Sequence, residues 1–230
     1  MRTKTIDLLV GGLSKNNLKK MDTLKFIIDK FKLDVSGEMP IRIPNVGRED
    51  LADWIHELGF KRGVEVGVAA GKYSQILCQK NPQMKLSGVD PWLPYSGYRD
   101  YAKQSTFDKL EKEAVERLSS IPNYEFIREW SMDAVKKFED NSLCIVYIDA
   151  NHEDPFVTQD ITEWSKKVKS GGIVAGHDWT RIPRVRWNVK DAILKYTKEN
   201  NIKTWFVLGS DAIIPGETRE GSRSWMFVKQ

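Results

Sequence analysis

The sequence predicts an α/β fold, in which a parallel β-sheet carries helices on both faces. Three observations support this prediction. From residue 48 onward, short apolar runs alternate with polar segments of helical period, as expected of parallel strands joined by helices. The run LCIVYIDA at 143–150 is almost continuously apolar, which is typical of a central strand covered on both faces. The last two apolar runs, 203–208 and 224–229, have no helical segment between them, so they should form an antiparallel hairpin at one edge.

The individual elements follow from the spacing of apolar residues. Leu24, Ile27, Ile28 and Phe31 recur at intervals of three and four, which predicts an amphipathic helix over 21–33. The same kind of pattern predicts helices at 48–59, 72–80, 98–121, 132–138, 155–169 and 188–201. Short apolar runs predict strands at 63–68, 85–90, 124–129, 143–150, 171–178, 203–208 and 224–229.

The N-terminal region lacks a recognisable motif. The stretch GEMPIRIPNVG at 37–47 contains two prolines and two glycines, a composition typical of a linker or turn. The sequence therefore predicts an N-terminal helical extension with a linker over residues 1–47 and one main domain over residues 48–230.

Composition narrows the class of protein. The chain is 40% hydrophobic and 30% charged, with a formal net charge of +4. This charge is mild for the length of the chain and does not argue for a nucleic-acid partner, which usually needs a clustered basic face. The N-terminus does not resemble a signal peptide, and no window approaches the roughly 20 apolar residues of a membrane span. We therefore expect a cytoplasmic protein without a membrane partner, and a homo-oligomer remains open.

The stretch GVEVGVAAGKYSQIL at 63–77 resembles the start of a nucleotide-binding loop. A phosphate-binding P-loop requires four residues between its glycines and then Lys followed by Ser or Thr. Only three residues separate Gly67 from Gly71, and Tyr73 follows Lys72. The dinucleotide fingerprint requires glycines at the first, third and sixth positions, but the third and sixth positions from Gly67 are Ala69 and Lys72. Both interpretations therefore fail.

The remaining pattern is an acid, Glu65, two residues before Gly67, followed by Gly71 and Ser74. A carboxylate at this position would repel a pyrophosphate, but it can accept hydrogen bonds from an amino group. A ligand that carries an ammonium and a sulfonium would suit it. A second acid, Asp90, ends the next predicted strand, where a carboxylate can bind ribose hydroxyls.

These motifs, with VYIDANHEDPFVTQDITEWSKKVKSGGIVAGHDW at 146–179 and the closing strand pair, resemble class I S-adenosylmethionine-dependent methyltransferases over about residues 48–230. The stretch from 147 to 179 is most similar to the bacterial small-molecule branch, which includes sugar and natural-product O-methyltransferases. The resemblance implies a Rossmann-like seven-stranded sheet of order 3-2-1-4-5-7-6, with its last strand antiparallel. It also implies that S-adenosylmethionine binds at the carboxyl ends of the first two strands.

The resemblance assigns the cofactor contacts by position. Glu65 and Gly67 would hold the methionine end, and Asp90 would hold the ribose. Trp92, Trp130 and Ser131 would border the adenine. The full set of implied cofactor residues is Glu65, Gly67, Gly71, Ser74, Asp90, Trp92, Trp130, Ser131 and Asp149.

The methyl acceptor should lie where the fourth and fifth strands of the domain end. Asp149 and His152 follow one strand, and His177 and Asp178 follow the next, so they should converge at one mouth of the sheet. In the catechol-type and antibiotic-sugar enzymes, acids at these positions hold magnesium, which implies a site of Asp149, His177 and Asp178 for Mg²⁺ or Mn²⁺. His177 departs from the carboxylate of those families, and imidazole favours metals softer than magnesium.

A metal-free mechanism is the alternative for the same residues. His152 would act as general base, because imidazole titrates near neutral pH, with His177 as the second candidate and Asp149 beside them. Both histidines could instead simply pack against loop backbone. A small hydroxylated acceptor is the main hypothesis, and a nucleic-acid or protein methyltransferase or a non-catalytic protein of the same fold are the others. The nucleic-acid hypothesis would depend on Arg181, Arg184 and Arg186.

Overall fold

The computed structural model describes residues 22–94, 103–180 and 188–230. Its helices are α1 (Thr23–Phe31), α2 (Arg48–Glu57), α3 (Lys72–Lys80), α4 (Gln104–Leu118), α5 (Ser131–Ala134), α6 (Phe156–Lys167) and α7 (Val189–Glu199), with a 3-10 turn at Val135–Lys137. Its strands are β1 (Ile41–Ile43), β2 (Arg62–Val66), β3 (Lys85–Val89), β4 (Tyr124–Ile127), β5 (Leu143–Ile148), β6 (Val168–Trp179), β7 (Trp205–Leu208) and β8 (Arg223–Val228).

The described strands form one sheet in the order β1-β7-β8-β6-β5-β2-β3-β4. When the strands after residue 47 are counted from β2, their order is 3-2-1-4-5-7-6, which confirms the order that the resemblance implied. Strand β8 is antiparallel to both β6 and β7, and the other pairs are parallel. The predicted fold class is therefore correct, although the described sheet has eight strands where seven were expected.

Two sequence-based expectations about this sheet were wrong. The stretch predicted as a linker contains β1, which pairs in parallel with β7 through Ile41–Phe206 and Ile43–Leu208. The β7–β8 hairpin consequently does not form an edge, because β1 covers the outer side of β7. A three-residue strand flanked by prolines has no period of its own, and its partner lies far along the chain. The boundary between an extension and a domain at residue 47 remains a prediction.

Strand β5 shows why the sheet is covered on both faces. All six of its residues are buried, and from Ile145 to Ile148 they alternate between two apolar cores. Ile145 and Tyr147 pack with residues of α1, α2 and α3 on one face, whereas Val146 and Ile148 pack with residues of α6 and α7 on the other. This alternation follows from the two-residue period of a strand. The central parallel strand predicted from LCIVYIDA is therefore confirmed.

Helix α1 contributes to the first of these cores. Ile27 is fully buried there, and the hydroxyl of Thr23 donates a 2.6 Å hydrogen bond to the carbonyl of Gly171. Helix α1 therefore packs against the same sheet as the other helices. Among the described residues, no helix is both long and apolar enough to cross a membrane.

Candidate active site

The turn between β2 and α3 depends on two glycines. Gly67 has φ +90°, and a Cβ at this position would lie 2.1 Å from the carbonyl oxygen of Asp149. Gly71 has φ +72° and immediately precedes α3, and its Cβ would lie 2.6 Å from Leu118 Cδ1. Residues other than glycine rarely adopt this left-handed backbone conformation. Backbone conformation and close approach therefore both require glycine at Gly67, and its turn lies directly against the end of β5.

Asp90 organises this turn from the end of β3. Its Oδ2 accepts hydrogen bonds of 2.9 Å from the backbone N–H groups of Val68 and Ala69. Its Oδ1 accepts a 2.8 Å bond from the N–H of Trp92. Burial raises the pKa of Asp90 above its ordinary value, and these backbone bonds oppose that rise. The indole N–H of Trp92 donates to the carbonyl of Ala69 at 2.9 Å, so strand end and turn form one rigid unit.

Glu65 lies beneath the same turn and is 2% exposed. The hydroxyl of Ser74 donates a hydrogen bond to its carboxyl group. Burial raises the pKa of Glu65 to about 8, although the Ser74 hydrogen bond acts in the opposite direction. In the free protein, burial therefore favours the neutral form of Glu65. A cation placed beside it would favour the ionised form.

A cavity of about 1000 Å³ opens above this end of the sheet. Of the predicted cofactor residues it is lined by Glu65, Gly67, Asp90, Trp92, Trp130, Ser131 and Asp149. Gly71 and Ser74 do not line it, and they act on the turn and on Glu65 instead. The cavity continues past Asp149 to His152, so one space connects the glycine turn with the predicted acceptor site.

The predicted acceptor residues converge where β5 and β6 end. His152 Nε2 lies 2.9 Å from Asp178 Oδ2 and 3.6 Å from Asp149 Oδ1. Asp178 has φ 59°, and the pairing of β6 with β8 shifts register between Gly176 and Trp179. This irregularity allows the Asp178 side chain to meet His152, which arrives from the neighbouring strand.

His177 lies at the edge of this cluster. Its Nδ1 is 3.3 Å from Asp178 Oδ2 and 3.9 Å from Asp149 Oδ2, and its Nε2 is 3.8 Å from Glu220 Oε2. Burial lowers the pKa of His177, but the hydrogen bond to Asp178 and the charge of Asp149 outweigh burial and raise it above its ordinary value. Burial would also raise the pKa of Asp178, yet His152 and His177 hold it well below its usual range.

The cluster has a donor set suited to a divalent cation. Asp149, His152 and Asp178 each offer one ligand atom, and these atoms lie within 4.8 Å of one another. Two carboxylate oxygens and one imidazole nitrogen fit manganese, iron or zinc better than magnesium, which prefers oxygen ligands. The sequence assigned His177 to this set, whereas the geometry brings His152 into it.

Sequence reasoning missed Arg48 and Glu220. Arg48 begins α2, borders the cavity, and lies with Nη1 3.5 Å from Asp149 Oδ2 and Nε 3.1 Å from Glu220 Oε1. Its guanidinium also lies 5.2 Å from the centroid of the Tyr73 ring. Neither residue belongs to a recognisable motif, because each reaches the site from a part of the chain far from Asp149. Arg181, Arg184 and Arg186 lie outside the described residues.

A second group that sequence reasoning missed lies in the cavity wall. Asp160 on α6 is 4% exposed and borders the cavity. The hydroxyl of Ser131 donates to Asp160 Oδ1, and the indole N–H of Trp164 donates to Ser131 Oγ at 2.8 Å. An acid within an amphipathic helix is usually on its solvent face, so the sequence alone did not single out Asp160.

Known proteins share this architecture. TomG, an O-methyltransferase of Streptomyces achromogenes involved in tomaymycin synthesis and solved with S-adenosylmethionine, is 13% identical, with 92% of each chain covered and a TM-score of 0.54. Cofactor-bound Rv0187 from MTB is 11% identical, with 94% of this chain and 93% of that chain covered and a TM-score of 0.56. A candidate caffeoyl-CoA O-methyltransferase from Staphylococcus aureus is 12% identical, with 90% of each chain covered and a TM-score of 0.53.

At these low identities, the structural similarity establishes a shared fold alone. No protein of curated function shows significant sequence similarity to the chain. A family model described as a methyltransferase domain matches residues 64–179, which is just over half of the 230 residues. The match runs from β2 to the end of β6 and therefore contains both the glycine turn and the Asp149–His152–Asp178 cluster. The chain belongs to this methyltransferase-domain family, with the class I methyltransferase fold that its sequence predicted.

Proposed function

We propose that the protein transfers a methyl group from S-adenosylmethionine to a hydroxyl of a small molecule. The observation that carries this proposal is the single cavity that joins the glycine turn to the Asp149–His152–Asp178 cluster. A methyl donor held over the turn and a hydroxyl held at the cluster would share one space, as transfer along the S–methyl–O line requires.

The glycine turn supplies a fitting site for the donor's amino-acid end. The Gly67 backbone leaves room for close approach, and Glu65 offers a carboxyl group that an adjacent ammonium or sulfonium would ionise. Arg48 adds a positive charge beside them, which suits the carboxylate of the same amino acid. Asp90 borders the cavity, and its remaining acceptor capacity is what a ribose hydroxyl would use.

The cluster supplies the acceptor chemistry. Asp178 lies 2.9 Å from His152 Nε2 and would orient the ring and stabilise its protonated form. His152 would then take the hydroxyl proton as the oxygen–methyl bond forms and the sulfonium–methyl bond breaks, which leaves S-adenosylhomocysteine as product. If a divalent metal binds instead, Asp149, His152 and Asp178 would hold it, and it would lower the pKa of the acceptor hydroxyl.

The cavity volume supports a small acceptor. Ligand pockets of roughly 300–1000 Å³ bind drug-sized molecules, and this cavity lies at the upper limit. It therefore has room for the cofactor and a compact second molecule, such as a sugar, glycoside or other natural product. The modest net charge of +4 gives a nucleic-acid acceptor no comparable support.

Calorimetry with S-adenosylhomocysteine tests the donor site. We expect binding by the wild type and a loss of binding in Gly67→Arg, whose side chain would clash with the backbone at the end of β5 and displace the turn. Asp90→Ala should weaken binding because it releases the turn. Absence of binding by the wild type would refute the proposal.

Product formation tests the acceptor chemistry. Hydroxylated acceptors supplied with S-adenosylmethionine should yield S-adenosylhomocysteine detectable by mass spectrometry. Loss of turnover with EDTA and recovery with Mn²⁺ would assign the cluster to a metal. Turnover unaffected by EDTA but abolished in His152→Ala would assign it to general-base catalysis.

A further inference from the structure

Strand β4 is an edge of the sheet that carries apolar side chains. Among the described strands, it pairs with β3 on one side and with no strand on the other. Tyr124, Phe126 and Ile127 are half-buried, and Glu125 is exposed. An open strand edge invites pairing with another chain, and apolar side chains along it gain from being covered. This edge is therefore a candidate interaction surface.

The hydrogen bonds to β3 show which backbone groups of β4 remain available. The carbonyls of Asn123 and Ile127 accept backbone hydrogen bonds from β3. Successive residues of a strand direct their backbone groups to alternate sides. The N–H and C=O of Phe126 therefore point away from β3, as do the carbonyl of Tyr124 and the N–H of Arg128. These groups can bond a strand that lies antiparallel along the open side.

We propose that β4 pairs antiparallel with β4 of a second copy of the protein, around a two-fold axis at Phe126. Phe126 then exchanges both of its backbone hydrogen bonds with its own copy. The N–H of each Arg128 donates to the carbonyl of the partner's Tyr124. The same surface is used on both copies, as a closed two-fold dimer requires, so one contact covers both β4 edges.

The charges along β4 exclude the neighbouring positions of the axis. An axis at Glu125 or at Arg128 would place that charge opposite its own copy. An axis at Ile127 would place Glu125 opposite the partner's Glu129. Like charges directly opposite one another on paired strands are destabilising. Charge complementarity therefore favours Phe126, where each charged residue of β4 lies opposite an uncharged one.

The side chains on the α4 side of the sheet support the same axis. Tyr124 and Phe126 pack in the apolar cluster beneath α4, and the guanidinium of Arg128 lies 5.5 Å from the Phe126 ring centroid. Pairing around Phe126 places the two Phe126 rings side by side and each Arg128 beside the partner's Tyr124. Aromatic pairs and cation–π contacts both stabilise such an arrangement. An axis at Tyr124 would instead place Phe126 opposite Pro122, which has no N–H to donate.

The acids on the other side of the sheet do not oppose this pairing. Glu125 forms an ion pair with Lys85 at 2.9 Å, and Glu129 forms one with Lys137. Both acids are therefore neutralised within their own chain. The same four residues line a groove of about 490 Å³ beside β4, which offers further surface for a second copy to cover.

The dimer would leave both cavities open. Antiparallel strands direct their carboxyl ends in opposite directions, and each cavity lies at the carboxyl end of its own sheet. The two cavities would therefore open at opposite edges of the joined sheet. Self-association should not depend on the cofactor, so its failure would leave the proposed function untouched.

Sedimentation equilibrium from nanomolar to high micromolar protein tests the association. The wild type should shift from the mass of one chain to that of two, and no further. Arg128→Glu should weaken the association at least about tenfold, because the lost contact occurs twice across the axis. Lys112→Glu reverses a charge on α4 where the side chain is 77% exposed, and should leave the association unchanged. A wild type that remains monomeric throughout overturns the inference.

Engineered disulfides test the position of the axis. Glu125 and the partner's Ile127 would form a non-hydrogen-bonded pair with Cα atoms about 4.5 Å apart, a separation that a disulfide spans. A mixture of Glu125→Cys and Ile127→Cys proteins should therefore give several times more covalent dimer on oxidation than either variant alone. Ile127→Cys mixed with Glu116→Cys, an exposed position on α4, should not. The native Cys78 and Cys144 are buried.

The two experiments decide the inference together. A dimer that tolerates Arg128→Glu and gives no disulfide between positions 125 and 127 uses another surface, which overturns the inference. If circular dichroism shows that Arg128→Glu does not fold, the disulfide yields alone decide, because they are measured on chains that retain Arg128.

Discussion

Gly67→Ala should destabilise the protein far more than an ordinary glycine substitution. The residue has φ +90°, and an added Cβ would lie 2.1 Å from the Asp149 carbonyl oxygen and 2.7 Å from Ala150 Cα. Real Cβ atoms essentially never approach other heavy atoms closer than 3.0 Å. Both neighbours are backbone atoms at the end of β5, so they cannot rotate away as a side chain would.

The expected magnitude has two parts. A left-handed backbone at a non-glycine residue costs about 1–2 kcal/mol. Overpacking against backbone adds about 1–3 kcal/mol, occasionally more. The free energy of unfolding should therefore fall by about 2–5 kcal/mol, measured by urea denaturation followed by circular dichroism.

Two control variants separate these parts. Gly59 has φ +65° with no atom near its Cβ position, so Gly59→Ala should show the backbone strain alone. Gly37 has open space and no left-handed backbone, so Gly37→Ala should be nearly neutral. A Gly67→Ala loss equal to that of Gly59→Ala would refute the argument that the turn is held against β5.

Three other predictions concern buried polar groups. The raised pKa of Asp160, about 7, means that the folded protein holds this proton more tightly than the unfolded chain, so its contribution to stability falls as pH rises from about 4 to 7. Asp160→Asn has no proton to lose at this position. Its free energy of unfolding, measured by urea titration, should therefore rise relative to that of the wild type by a few kcal/mol over that range; a constant difference would contradict the prediction. Asp178→Asn should lower kcat about 10²-fold or more with unchanged affinity for S-adenosylhomocysteine, while exposed Asp140→Asn serves as the matched control; equal kcat values would exclude the His152–Asp178 pair from catalysis. Tyr73→Phe removes the 2.8 Å bond from its hydroxyl to the Arg48 carbonyl and should cost about 1 kcal/mol in urea unfolding, and a gain in stability would count against that bond.

The sequence was sufficient for features that depend on local pattern. Strand and helix periods predicted the strands β2 to β8, and the family resemblance implied their order. The carboxyl ends of adjacent parallel strands brought Asp149, His152 and Asp178 together as expected. The glycine requirement at Gly67 was also readable, because few residue types tolerate such a turn.

Features that depend on distant contacts were not predictable in this way. Strand β1 forms only by pairing with β7, which is remote in sequence. Arg48 belongs to the site because it pairs with Asp149 and Glu220, which are also remote in sequence. The hydrogen bonds that Asp90 accepts from backbone N–H groups of the turn and of Trp92 were not predicted, and its contact with a ribose stays a prediction. Asp160 looks like a surface residue until Ser131 and the cavity are placed beside it.

The extra strand also affects how the protein should be shortened for laboratory work. Removing residues 1–47 as a dispensable appendage would strip β7 of its neighbour and leave a row of bare amide and carbonyl groups along Trp205–Leu208. Such a border pairs readily with another copy of itself. Truncated proteins that begin upstream of Ile41 should therefore stay in solution, whereas those that begin at Arg48 should aggregate.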